Sequence, residues 1–144
     1  DRDLLLVAAL LHDVGKVREL KWRPYSIDYT DEGRLIGHIV LGIQILGDLL
    51  KKIPDFPETL HTTLQHIILS HHGQLEFGSP KRPKTLEAVA LNLIDDLDAK
   101  LNGIKSFIEG DTTEGHWTEY NRLLSRFFLK GPLVRGDVPN EMIP

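Results

Sequence analysis

The sequence predicts an all-α fold, a compact bundle of about five or six helices. Apolar residues recur at three- and four-residue steps in three segments, and a fourth segment is apolar nearly all round. Glycines and prolines punctuate the intervals between these segments. No run shows the period-two alternation of a strand convincingly. Helices that are apolar on more than one side need several partners, which a bundle supplies.

Taken in order, residues 3–12 read as a buried helix carrying Leu4, Leu5, Leu6, Val7, Leu10 and Leu11, with Gly15 placed to cap it. Residues 21–33 are polar, contain Pro24 and Gly33, and read as a loop. Residues 37–52 form a helix through Ile36, Ile39, Val40, Ile43, Leu46 and Leu50, and Pro54 and Pro57 mark the break after it. A further helix over about 57–70 has Leu60, Leu64, Ile67 and Ile68 on one stripe. Gly73, Gly78, Pro80 and Pro83 then make a loop. From about Lys84 a strong helix follows, with Leu86, Ala90, Leu93, Leu97 and Leu101 as its main apolar stripe. Gly110 to Gly115 is another break. Residues 117–129 fit either a short helix or extended structure. One domain is expected over residues 1–131, with a loosely held tail over 132–144.

The chain has 144 residues, a one-domain length that buries roughly 70% of its unfolded surface without staples. It has no cysteine, which excludes disulfides, thiolate metal sites and a cysteine nucleophile. That fits a reducing, cytoplasmic setting. The net charge of −4 gives no global attraction to nucleic acid or anionic membrane, so a polyanionic substrate must be held locally. No apolar run reaches the ~20 residues of a membrane span, and no signal peptide is visible. The chain opens inside an apolar pattern, which reads as a fragment boundary with further sequence upstream.

Four placements carry chemistry. His12-Asp13 ends the first apolar run, offering one nitrogen and one oxygen ligand from adjacent positions. His71-His72 ends another helix, where both rings can turn toward a metal pair. Asp95 lies opposite the leucine stripe of its helix, among Ala88 and Leu91; a buried carboxylate is expensive unless paired or metal-bound. His38 sits in the first turn of its own helix. Nitrogen and oxygen donors without thiolates suit divalent Mn, Fe, Co, Ni or Zn rather than Ca, with manganese expected first. Two ions sharing a carboxylate, about 3.5–4 Å apart, would activate water for attack on a phosphoester.

These strings resemble the HD superfamily of metal-dependent phosphohydrolases. Leu11-His12-Asp13-Val14-Gly15-Lys16-Val17, Tyr29-Thr30, Gly37-His38-Ile39, Leu69-Ser70-His71-His72-Gly73, Gly78-Ser79-Pro80-Lys81 and Ile94-Asp95-Asp96-Leu97-Asp98-Ala99-Lys100 resemble most the HD domain of the YhaM-type 3′-5′ exoribonucleases. The likeness covers about the first 105 residues. It implies that Asp13 bridges two metals, that His12 and Asp95 serve the first, and that His38, His71 and His72 serve the second. It also implies that Lys16 steadies the scissile phosphate, while Asp98 orients a ligand. His66 fits the string without a role. The family pattern has a further histidine upstream of the His-Asp pair and an N-terminal OB domain that binds nucleic acid. Only eleven residues precede His12, so both are expected in a preceding segment.

The expected function is therefore hydrolysis of single-stranded RNA from its 3′ end, releasing nucleoside 5′-monophosphates. A nucleotidase or cyclic-nucleotide phosphodiesterase would use the same donors, and a non-catalytic HD fragment that binds nucleic acid or a partner is the third reading. Lys81, Arg82 and Lys84 are the candidates for contacts to the RNA backbone, against the alternative of a solvated basic turn. Trp22, Tyr25 and Tyr29 are expected to pack their loop against the bundle, in preference to stacking a base. No membrane partner is expected, and the oligomeric state is left open.

Overall fold

The computed structural model describes residues 1–131; the expected loose tail, residues 132–144, lies outside them. Contacts divide the chain into two units, Asp1–Asp96 and Leu97–Pro144. The first contains α1 (Arg2–Leu11), α2 (Lys16–Glu19), β1 (Leu20–Arg23), β2 (Ser26–Tyr29), α3 (Asp31–Ile36), α4 (His38–Leu50), α5 (Glu58–Ser70) and the start of α6 (Leu86–Gly110). The second contains the rest of α6 and an extended stretch in which Trp117 bridges Leu129 and Asn121 bridges Arg126. The expected class is the class found: the described chain is mostly helical, with one two-stranded sheet.

Local chemistry starts these helices where they start. The Asp1 carboxylate accepts from the amides of Asp3 and Leu4, capping α1. Thr30 Oγ1 accepts from Gly33 N–H to open α3, and Thr85 Oγ1 accepts from Ala88 N–H at the start of α6. The core of the first unit is Ala8 of α1, Leu46 of α4, Leu64, Ile67 and Ile68 of α5, and Ala88 and Leu91 of α6. Each buried leucine or isoleucine contributes about 1.5–3 kcal/mol of transfer free energy. Beside this core lies an open hollow of about 670 Å³, lined by apolar side chains such as Leu4, Val7, Leu49 and Ile53. In the second unit, Asp111 accepts from Thr113, Glu119 and Lys130, tying the stretch after α6 to itself.

Four expectations are corrected. Residues 21–33 are not a plain loop but an antiparallel hairpin and α3, with Leu20 opposite Tyr29 and Trp22 opposite Ile27. Period two is present there, but four residues per strand are too few to reveal it. Trp22, Tyr25 and Tyr29 do not pack inward; they are 83%, 102% and 47% exposed. Gly15 does not cap α1. It has right-handed helical φ (−62°) and leads into α2. The face of α6 is also reversed: Leu86, Leu93, Leu97 and Leu101 are exposed, while Ala88 and Leu91 are buried. Hydropathy alone favoured the leucines, but it is Ala88 and Leu91 that join the core of Ala8, Leu46, Leu64, Ile67 and Ile68.

Close approach is what Gly15 provides. A Cβ there would lie 1.9 Å from the carbonyl oxygen of His38, so the turn after His12 rests directly on the start of α4. Gly33 does the same for α3, where a Cβ would fall 2.3 Å from the Glu19 carbonyl. Denaturant titration should find Gly15→Ala destabilised by about 1–3 kcal/mol through this overlap. Gly47→Ala, in α4 with nothing within 4 Å of the new Cβ, should instead gain about 0.5–1 kcal/mol.

Candidate metal centre

The first unit brings its histidines together at helix ends. His12 follows α1, His38 opens α4, and His71 and His72 follow α5. Ring centroids lie 5.1 Å apart for His12 and His71, 4.3 Å for His71 and His72, and 5.1 Å for His38 and His72. A nitrogen from each of His38, His71 and His72 lies within 4.8 Å of the others, a spacing that could hold one metal ion.

In each ring Nδ1 is already engaged. It sits 2.8 Å from the Ala9 carbonyl in His12, 2.7 Å from the Ile68 carbonyl in His71 and 3.0 Å from the Phe77 carbonyl in His72. In His38 it is 3.2 Å from Glu19 Oε1. Carbonyl and carboxylate oxygens only accept, so Nδ1 carries a proton in each ring, and the unpartnered Nε2 atoms of His38 and His71 keep their lone pairs. Neutral imidazole of this tautomer is the form that binds metal.

Asp13 lies among the ring nitrogens. Its Oδ1 is 3.5 Å from His38 Nε2 and 3.8 Å from His71 Nε2; its Oδ2 is 3.4 Å from His12 Nε2. His12 Nε2 is also 3.6 Å from Asp95 Oδ1. Asp13 Oδ1, His38 Nε2 and His71 Nε2 are buried and have no hydrogen-bond partner. Three orphaned polar atoms converging in one place would be costly if left so. All three are lone-pair donors, which fits a cation.

The electrostatics agree. Burial pushes the Asp13 carboxyl up, but His12 and Lys16 together outweigh it and hold it well below the usual carboxylate range. Burial pushes the His71 imidazole down to about 4, which keeps it neutral near pH 7. Asp13 beside it raises His12. A recess of about 250 Å³ opens beside His38 and His72, against Gly78 and Pro80. The larger apolar hollow near α1 holds none of these donors.

The other candidates fall as follows. Lys16 Nζ donates to Asp13 Oδ2 at 2.6 Å. Lys81, Arg82 and Lys84 are exposed on the loop after the 3-10 turn. That loop is held to α5 by Ser79, whose hydroxyl lies 3.0 Å from the Leu69 carbonyl, and by His66, whose Nε2 accepts from Lys84 N–H at 2.9 Å. His66, left without a role by the sequence, is thus a loop anchor. Asp98 falls in the second unit, where it accepts from Asn102.

Two residues were missed. Glu19 is buried, and its Oε1 accepts from His38 N–H at 3.0 Å as well as from the ring. It therefore caps α4 and orients His38 at once. Asn92 Nδ2 donates to the His71 carbonyl at 2.7 Å, fixing the end of α5. Glu19 stands in a polar stretch, and Asn92 is a single polar residue within an apolar run. The only available hint was the position of Asn92 one turn from Ala88 on the less leucine-rich side of α6.

The HD domain family model matches residues 1–100. The chain is 46% identical over 127 residues to the 3′-5′ exoribonuclease YhaM of Bacillus subtilis (strain 168). That match covers 85% of this chain and 40% of that protein, so the chain spans less than half of the relative's length. No solved structure matches it.

Two measurements probe this geometry. Isothermal titration with Mn²⁺ should show Glu19→Ala weakening metal binding about 10–100-fold, the usual cost of removing the partner that orients a histidine ligand; Arg23→Ala should leave it unchanged. In chelator, stability should depend on pH through His71. The unfolded chain, with its imidazole near 6.5, takes this proton before the folded one. The neutral ring's contribution is then intact above pH 6.5 and falls by about 3 kcal/mol as pH drops to about 4. His12, raised by Asp13, has the opposite sign, so a His71→Gln variant isolates the His71 part by flattening that slope.

Proposed function

The chain belongs to the HD domain family, and on that footing we propose that it hydrolyses phosphodiesters with divalent metal ions, as the catalytic part of a 3′-5′ exoribonuclease. The observation that carries the proposal is the convergence of Asp13 Oδ1, His38 Nε2 and His71 Nε2, buried and without partners. The 46% identity to an exoribonuclease supports RNA as the substrate.

The proposed ligand set divides about Asp13. His38 and His71 lie nearest its Oδ1, with the His72 ring beside both, and His12 lies nearest its Oδ2, with Asp95 beside His12. A carboxylate that offers its two oxygens to two donor sets is suited to bridge two ions. Manganese is the first expectation, and Fe, Co, Ni or Zn suit the same donors. Bound ions would polarise a phosphoryl oxygen and lower the pKa of a coordinated water.

The chain's own residues do the rest. Asp13 stays ionised through the whole physiological range, held so by His12 and Lys16. Lys16, half-exposed at the rim, puts a positive charge where a scissile phosphate would approach Asp13. Lys81, Arg82 and Lys84 stand on a loop anchored by Ser79 and His66, so their charges are offered from a fixed place to the RNA backbone. Asp98, bonded to Asn102, is given no step. Among the described residues no helix is long and apolar enough to cross a membrane; a cytoplasmic RNA substrate is proposed. Delivery of single-stranded RNA by an N-terminal OB domain is proposed for the longer form that the relative's length suggests.

The chain loaded with Mn²⁺ should shorten a 5′-labelled single-stranded RNA stepwise from its 3′ end, releasing nucleoside 5′-monophosphates. Asp13→Asn should lower the rate at least about 100-fold, beyond the roughly 10–100-fold that follows loss of a residue that only orients a ligand. Hydrolysis of mononucleotides but not of RNA would replace this reading with a nucleotidase. A metal-loaded chain inert toward both would sink it.

A further inference from the structure

We infer that the β1–β2 hairpin is a stacking platform for single-stranded nucleic acid, seating bases of the strand whose phosphodiester is presented to the histidine cluster. The inference rests on the reading of RNA as substrate. It adds a binding site, and a reason for single strands, that the cluster does not supply.

The register places Leu20, Trp22, Ile27 and Tyr29 on one face of the ribbon. Of these, Trp22 is 83% exposed, Ile27 54% and Tyr29 47%, and Tyr25 at the turn is fully exposed. A two-stranded ribbon is marginal in water by itself. This one therefore draws stability from its base and leaves its aromatic face open.

The base is tied to the site. The hairpin leaves the chain at Glu19 and returns at Thr30, whose N–H donates to the Glu19 carbonyl at 2.9 Å. The Thr30 hydroxyl is 2.8 Å from the Arg18 carbonyl. Glu19 is the residue that holds His38. At about 3.3 Å per residue, four-residue strands carry the turn roughly 13 Å from that point. A single strand can reach from the turn to the cluster.

Charge selects the occupant. The opposite face carries Lys21 and Arg23, and Arg34 of α3 lies 5.4 Å from the centre of the Tyr29 ring. Arg23 and Arg34 share one carboxylate, Asp28, at 3.7 and 3.3 Å. Residues 20–29 thus carry Lys21 and Arg23 against the one carboxylate Asp28, on a chain whose net charge is −4. Flat rings on one face, cations on the other and one guanidinium over a ring suit a polyanion whose bases are free to stack, and a duplex hides those faces. A second protein is less well served. Side chains of this kind offer on the order of 600 Å², short of the roughly 800 Å² per partner of a standard interface.

Binding of labelled oligo(A) to the full chain, read by fluorescence anisotropy in chelator, tests the platform without cleavage. Trp22→Ala and Tyr25→Ala should each weaken binding about 5- to 100-fold, and Trp22→Phe should restore most of it. An abasic ribose-phosphate oligomer of the same length should bind weakly and ignore these substitutions. Affinity for oligo(A) unchanged within about twofold would overturn the proposal, as would an equal loss for both oligomers. So would a dimer that Trp22→Ala converts to monomer in sedimentation, since the face would then join two copies. Because no metal takes part, failure of hydrolysis would strike the hydrolase reading and leave this result standing.

Discussion

The first unit depends on where four imidazole protons are kept. His12, His71 and His72 each give Nδ1–H to a backbone carbonyl of a nearby turn, and His38 gives its own to Glu19. Each bond fixes a ring's tautomer and orientation together. The Nε2 atoms of His38 and His71 are then turned toward Asp13 and have no partner in the protein. Hydrogen-bonding groups are normally paired when buried, so a cluster with three unpaired buried atoms is unstable unless something else pairs them. That constraint explains why helices end here: a helix terminus supplies free carbonyls for the Nδ1 protons, and it releases the side chain from the crowding of the next turn.

Glu19 links this site to the rest of the unit. One oxygen serves both the backbone and the ring of His38, so the start of α4 and the direction of a candidate ligand are set by the same side chain. Gly33 lets α3 lie against the Glu19 backbone, and Gly15 lets the His12-Asp13 turn lie against the His38 carbonyl. Segments far apart in sequence therefore meet with almost no side-chain volume between them. The hairpin emerges from this junction, and its aromatic face is carried outward from the residue that orients His38.

A second anchoring system gathers at the same C-terminal end of α5 that carries His71 and His72. Ser79 and His66 bind the loop bearing Lys81, Arg82 and Lys84 to that helix, and Asn92 of α6 holds the His71 carbonyl. Cluster and basic loop share α5 as a common support, so the spacing between the donors and the cations is set by a helix rather than by a flexible tether.

The sequence by itself determined the class of the fold, the main helices and the residue types at the site. Leucines at helical spacing leave few alternatives, and the wider strings around His12-Asp13 and His71-His72 are far more specific than either pair alone. It also made Lys81, Arg82 and Lys84 visible as a basic loop. Only the tertiary structure decided which face of α6 is buried, because Ala88 and Leu91 join the core formed by the other helices, a placement hydropathy does not measure. It decided that residues 20–29 pair as a hairpin with their aromatics outward, since so short an alternation has no periodic signal and its support comes from Glu19 and Thr30. It also decided the roles of Glu19, His66 and Asn92. Each acts through a hydrogen bond across 18 or more positions of sequence, and hydrogen-bond geometry between distant segments exists only once the chain has folded.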